Sequence, residues 1–315
     1  MCVETELSSR RKGSLKSLLP LNTLVSELLT ALKISNKEII YKELKLKQYK
    51  TILKCLYTDP IDIPNLILNL NNILTQITNL TIEEICNLNL VEYLFLLTEI
   101  RITSIGSSIF AVHNNSDKPV NIEIPLNKTR AEILKCLEDF EPLLYKDTNT
   151  TLNFSIPFIK DLTDKEFLFV NEEVNNLPVR YLKIIQNHTK KINSFFNNYY
   201  FFNSGFKEFN LKLSLNKYDY IQLIKILFNE NLLSIYDNLF YLSKICNMSS
   251  EYLENGTYGE FKVFVKKTEE MLQKQIKQPP MVEQSNERDQ FDPVDINSLY
   301  GNDTPINITP SEFTP

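Results

Sequence analysis

The sequence predicts an α+β fold that is mostly α-helical, with a small antiparallel β-hairpin or sheet in the middle of the chain. Three observations lead there. Apolar residues recur at three- and four-residue spacing through most of the chain, the period of a helix with one buried face. Short alternating runs break that period near 38–41, 109–124 and 152–158, the period of a strand. Four quartets place Thr three residues before Glu: Thr81–Glu84, Thr129–Glu132, Thr163–Glu166 and Thr257–Glu260. Such a pair forms a capping box, in which each side chain satisfies the other's free backbone N–H at a helix start.

The elements follow in order. Residues 1–16 are polar and carry Arg10-Arg11-Lys12; they are expected to be disordered. Asn22–Lys33 is predicted to be an amphipathic helix with Leu21, Leu24, Leu28 and Leu32 on one face. Glu38–Tyr41 is a short β-type run. Leu46, Tyr49, Ile52, Leu53 and Leu56 give a helix that Asp59-Pro60 stops. Leu66, Leu70, Ile73, Leu74 and Ile77 give another, and Thr81 opens a short third. Leu90–Thr103 is a strongly apolar helix that ends near Gly106. A hairpin should follow: Ile109–His113, turn residues Asn114–Asp117, then Val120–Ile124. Thr129 should open a helix through Leu137 and Phe140. Leu152, Phe154, Ile156 and Phe158 alternate as a third strand, with Pro157 at its edge or end.

Beyond Lys160 the helical period dominates. Tyr181–Tyr200, Tyr220–Phe228 and Leu232–Ile245 are predicted helices, with a strand or extended linker at Phe209–Leu215. Ser249–Asn255 is a helical turn, and Thr257 opens the last helix to about Gln275. The predicted division is an α+β domain over 17–160, a helical domain over 161–277 and a tail over 278–315. That tail holds six of the chain's 14 prolines, so it cannot bury enough apolar surface to order itself. Spaced anchors at Phe291, Ile296, Leu299, Tyr300 and Phe313 suit a segment that orders on a partner.

Chemistry is sparse. The net charge is −5, which lacks the basic excess of a nucleic-acid-binding domain. The Lys42–Lys54 stretch interleaves lysines with Tyr41 and Tyr49, yet at helical spacing the lysines scatter over the polar arc. The five cysteines are dispersed, with no C-x-x-C pair. His113 and His188 are the two histidines, and neither has a nucleophile or carboxylate placed beside it by sequence. The pairs Glu83-Glu84, Glu172-Glu173 and Glu269-Glu270 sit where exposed helix faces put them. No phosphate-binding loop, zinc-protease or calcium-loop pattern occurs, and no apolar run approaches the ~20 residues of a membrane span.

One segment combines unusual features. Leu90–Gly106 runs Leu-Val-Glu-Tyr-Leu-Phe-Leu-Leu-Thr-Glu-Ile-Arg-Ile-Thr-Ser-Ile-Gly. Arg101 is one of three arginines between residues 13 and 287. An arginine closing a Leu/Phe run should anchor to a carboxylate or to carbonyls at the helix end. Ser104 and Gly106 then supply the exit turn.

This segment resembles the baseplate hub assembly proteins of T-even-type contractile-tailed phages. The likeness rests on Glu92, Tyr93 to Leu96, Ile100, Arg101, Ser104 and Gly106, with a hairpin after them. Weaker similarity extends over roughly 36–270, in Glu38–Leu44, Lys47–Leu53, Leu232–Lys244 and Gly259–Phe261. The resemblance implies a non-enzymatic structural or assembly component of the baseplate hub, acting by contact with other tail proteins, hub and tape-measure proteins among them. It implies the host cytoplasm during assembly, and the virion tail baseplate if the protein is retained. No cofactor, metal, nucleic acid or membrane is expected; self-association stays open. Some relatives carry cysteine pairs around the hairpin, whereas this chain has His113-Asn114-Asn115 there, so no metal is carried over. A transient assembly chaperone, a cellular helical adaptor and a helical enzyme remain as alternatives.

Overall fold

The computed structural model describes residues 30–34, 37–115, 118–162, 169–170, 177–203 and 210–277; the side chains of 30–37, 111–121 and 275–277 lie outside that description. The fold is mostly α-helical, with four two-stranded antiparallel pairs among the described residues. Met1–Glu270 forms one compact unit and Met271–Pro315 a second.

Strands β1 (Thr30–Ile34) and β2 (Lys37–Tyr41) open the described chain, with Thr30 opposite Tyr41. Here the predicted helix over 22–33 is corrected: residues 30–33 are strand, and 22–29 lie outside the described residues. Backbone pairing with β2 decides the conformation, because a ladder of hydrogen bonds outweighs a few tenths of a kcal/mol per residue of helix preference. Helix α1 (Leu46–Leu56) buries Leu46, Tyr49, Ile52, Leu53 and Leu56. Helix α2 (Ile63–Ile77) starts where the Asp62 carboxylate accepts from Asn65 N at 3.1 Å. Helix α3 (Ile82–Cys86) carries the predicted capping box: Thr81 N donates to Glu84 Oε2 at 2.8 Å, and Glu84 N to Thr81 Oγ1 at 3.3 Å.

Helix α4 (Leu90–Ser104) is buried on every side, from Leu90 through Arg101. A helix that is apolar all round is a central one, and α5 and α7 pack against it. Strands β3 (Ser108–Asn115) and β4 (Lys118–Pro125) form the predicted hairpin, with Ile109 opposite Ile124; both strands run further toward the turn than the alternation suggested. Helix α5 (Leu126–Asp139) follows without a loop, and Leu126 N donates to Ser107 O at 2.8 Å. The capping box predicted at Thr129 is therefore corrected. The hairpin delivers the chain into the helix four residues earlier, with Pro125 at the cap, and Thr129 is a buried residue of the first turn.

Strand β5 (Leu143–Lys146) pairs with β6 (Thr151–Phe154), Leu143 opposite Phe154. The predicted third strand stops at Phe154 because the backbone beyond it has other partners. Leu90 N donates to Pro157 O, and Ile159 N to Leu88 O, both at 2.9 Å. A 3-10 turn covers Ile159–Leu162; the capping quartet at Thr163 lies outside the described residues. Helix α6 (Leu182–Phe196) is shorter than predicted, since Tyr200–Phe202 is strand β7, paired with β8 (Leu211–Lys212). Helices α7 (Lys217–Leu227), α8 (Leu232–Ile245) and α9 (Ser250–Asn255) lie where the period placed them. Helix α10 (Tyr258–Lys277) opens with its predicted box, Thr257 N donating to Glu260 Oε2 at 2.9 Å.

Contacts cross the predicted 160/161 boundary. The Tyr220 hydroxyl donates to Leu90 O at 2.9 Å, and the two halves share one hydrophobic core. No helix among the described residues is long and apolar enough to cross a membrane.

Candidate functional site at the helix-to-hairpin junction

The five residues singled out in Leu90–Gly106 occupy the two ends of α4. At the N-terminal end, Asn89 Oδ1 accepts from Val91 N (3.0 Å) and Glu92 N (2.9 Å), while Glu92 Oε2 accepts from Asn89 N (3.0 Å). Glu92 is thus the N3 member of a capping box that a search for Thr alone misses, although Asn89-x-x-Glu92 is a recognisable form of it. Burial pushes the Glu92 carboxyl above its ordinary range, and the Asn89 N–H opposes that. Tyr93 is fully buried and donates to Asn71 Oδ1 at 2.9 Å. That bond gives the phenol the partner a buried hydroxyl requires and ties α4 to α2.

At the C-terminal end, Arg101 is 4% exposed. Its guanidinium donates to three backbone carbonyls: Nε to Leu227 O at 3.0 Å, Nη1 to Gly106 O at 2.7 Å, and Nη2 to Ser108 O at 3.3 Å. Leu227 is the last residue of α7, so its carbonyl is one that a helix leaves unpaired, and a cation there complements the helix dipole. The rigid fork of arginine suits three divergent acceptors as the single ammonium of lysine does not. Burial lowers the Arg101 pKa, and the surrounding Tyr49, Glu230 and Tyr258 favour its charge.

Ser104 accepts from Leu44 N at 2.8 Å and so fixes the backbone just ahead of α1. Gly106 takes φ +132°, where side-chain-bearing residues are strained. Its N–H and that of Ile105 both reach Arg101 O, at 3.2 and 2.9 Å. The junction therefore binds the exit of α4, the hairpin base, the end of α7 and the approach to α1 in one knot.

Around it lies a second layer that sequence reasoning did not find. Glu99 pairs with Arg130 at 2.7 Å, joining α4 to α5. Tyr258 donates to the Glu230 carboxylate, which Lys262 also meets at 2.9 Å. These partners are separated by 28 to 32 residues, and no local pattern links them. The Lys42–Lys54 patch is not a basic face: Tyr41 and Tyr49 are buried, and Lys50 is buried and paired with Glu254 at 2.5 Å.

A cleft of about 840 Å³ lies between α1 and the α9–α10 region, with Lys42, Glu43, Gln48, Tyr252, Glu260 and Phe261 among its walls. Burial raises the Glu43 carboxyl, a Thr257 hydrogen bond opposes it, and Glu260 adds to it. Among the described residues no cluster of three metal-ligating side chains occurs. His188 is structural: its ring stacks on Phe154 at 4.5 Å, and Nδ1 lies 2.9 Å from Ile184 O. The His113 side chain and the tail anchors Phe291, Ile296, Leu299, Tyr300 and Phe313 lie outside the described residues.

Chemically, the junction holds elements together, and at the hairpin base the Ser108 hydroxyl donates to the Glu123 carboxylate at 2.5 Å. No protein-family model, curated protein or solved structure matches the chain.

Proposed function

We propose that this chain is a structural or assembly component of a contractile phage tail baseplate hub, working through contacts with other tail proteins. The Leu90–Gly106 segment carries this reading, through its resemblance to the hub assembly proteins. The geometry supports it in one respect, because each residue on which the likeness rests serves the architecture. Glu92 caps α4, Tyr93 bonds to α2, Arg101 gathers three carbonyls, Ser104 receives Leu44 N and Gly106 makes the turn. A motif of that kind specifies a fold module, and its function then resides in the surfaces the module presents. The protein either stays in the virion as a hub subunit or helps the hub form and leaves.

Baseplates and assembly intermediates purified from infected cells test this. Co-purification of the chain with them is the expected result. Its absence from both overturns the reading, as would a genomic location away from tail genes. Mass spectrometry of mature particles then separates the two versions, since only a subunit persists there.

A further inference from the structure

Helix α8 is apolar on two faces. Ile235, Leu239 and Leu242 point into the core. Opposite them, Leu233 is 71% exposed and Phe240 67% exposed, with the partly exposed Tyr236 between them. Their i, i+3, i+7 spacing forms a stripe about 10 Å long at the helical rise of about 1.5 Å per residue. Tyr57, whose hydroxyl donates to Glu230 O at 2.7 Å, extends it past the helix N-terminus.

Lysines border the stripe at Tyr236 and beyond Phe240, while the exposed Asp237 borders it on the other side, between Leu233 and Phe240. Lys50 and Lys54 reach over the Tyr236 ring, at 4.8 and 5.9 Å from its centre, and Lys244 over the Phe240 ring at 5.8 Å. Lys50 is already paired with Glu254, whereas Lys54 and Lys244 have no carboxylate partner among the described residues. The three side chains leave roughly 300 Å² of apolar surface to cover, judged from typical aromatic and aliphatic areas. A stable dimer needs about 800 Å² from each partner, so a second copy of this chain is a poor fit. A single helix laid along the stripe matches its length, and carboxylates on that helix would meet the two free lysines.

We infer that the outer face of α8 docks an acidic amphipathic helix of a partner protein, with apolar side chains over Leu233 and Phe240 and carboxylates at Lys54 and Lys244. This holds whether or not the chain belongs to a tail.

Two designed 18-residue helical peptides test it against the full-length chain by fluorescence anisotropy. Both carry leucines at i, i+3 and i+7; one is flanked by glutamates and the other by lysines. The acidic peptide should bind with a Kd on the order of 10–100 µM, as suits a small contact, and bind more weakly as salt rises. Phe240→Asp should weaken it at least tenfold, and Leu233→Asp likewise, with circular dichroism unchanged because both sites are exposed. The double variant Lys54→Glu/Lys244→Glu should weaken the acidic peptide and strengthen the basic one. Equal binding of the two peptides, no binding of the acidic one, or indifference to Phe240→Asp overturns the proposal. So does a wild-type dimer in sedimentation that Phe240→Asp dissolves, since that outcome makes a second copy the occupant.

Discussion

Replacing Arg101 by Ala removes all three hydrogen bonds to Leu227, Gly106 and Ser108. Hydrogen bonds from a charged donor contribute about 1.5–3 kcal/mol each, and a buried carbonyl left without a partner costs about 1–3 kcal/mol. The sum overstates the loss. Removing the guanidinium also relieves its own desolvation, and Gly106 O and Ser108 O lie near enough to the surface groove to recover water. Leu227 O is in the buried contact and recovers least. A net loss of about 3–5 kcal/mol follows, from the lost charged-donor bonds and the stranded Leu227 O. At roughly 2–4 °C per kcal/mol for a unit of this size, the melting temperature should fall by about 6–20 °C. Thermal unfolding followed by circular dichroism measures it, and Arg101→Lys should recover only part of the loss because one ammonium cannot span three acceptors. A variant melting within about 1 °C of wild type, or Lys and Ala behaving alike, would refute the anchor.

Four further outcomes are expected. Gly106→Ala meets no steric obstacle, since nothing lies within 4 Å of an added Cβ; its cost is backbone strain of about 1–3 kcal/mol, read as a shifted urea midpoint. Asn89→Ala leaves the first N–H groups of α4 uncapped and should cost about 0.5–2 kcal/mol by the same assay. Tyr220→Phe removes the donor to Leu90 O and should cost about 0.5–1.5 kcal/mol. Glu92 has a raised folded-state pKa, so the native state holds its proton more tightly than the unfolded chain; its contribution to stability falls as pH rises above the ordinary value of 4.5. Glu92→Gln keeps an acceptor for Asn89 N without titrating, so its melting temperature should lose the part of that decline that wild type shows; parallel pH profiles would remove the assignment.

What could be read from the sequence was local. The period-2 runs located β2 and the β3–β4 hairpin, and the period of 3.6 located α1, α2, α4, α7 and α8. Thr81 and Thr257 gave correct helix starts because a capping box involves four consecutive residues. The failures were settled by neighbouring elements and not by the spacing within the segment. Leu24, Leu28 and Leu32 keep helical spacing, yet residues 30–33 pair with β2. Thr129 satisfies the quartet pattern, yet the hairpin brings the chain into α5 ahead of it. In the junction, the identity of Arg101 and its need for carbonyls were legible, but Leu227, 126 residues on, was not. Lys50 reads as a surface lysine until Glu254 and Tyr236 close over it. Periodicity marked α8 as apolar without saying which of its leucines and aromatics stay outside.

The fastening of α1 to the chain's last quarter has a consequence for biosynthesis. Leu46 N donates to Gly256 O and Tyr258 N to Leu44 O, both at 3.0 Å, while Lys47 meets Asn255 and Lys50 meets Glu254. These are among the earliest described residues to be synthesised, and their partners are among the latest. Contacts of such long sequence separation form slowly, because loop closure comes before any gain. During translation α1 must wait with its backbone donor and its lysines unpartnered and the Tyr49 ring without Tyr258 against it. A product that terminates before Asn255 never closes this seam, so prematurely ended chains should stay open to proteases and be cleared, leaving the full-length protein as the species available to a partner.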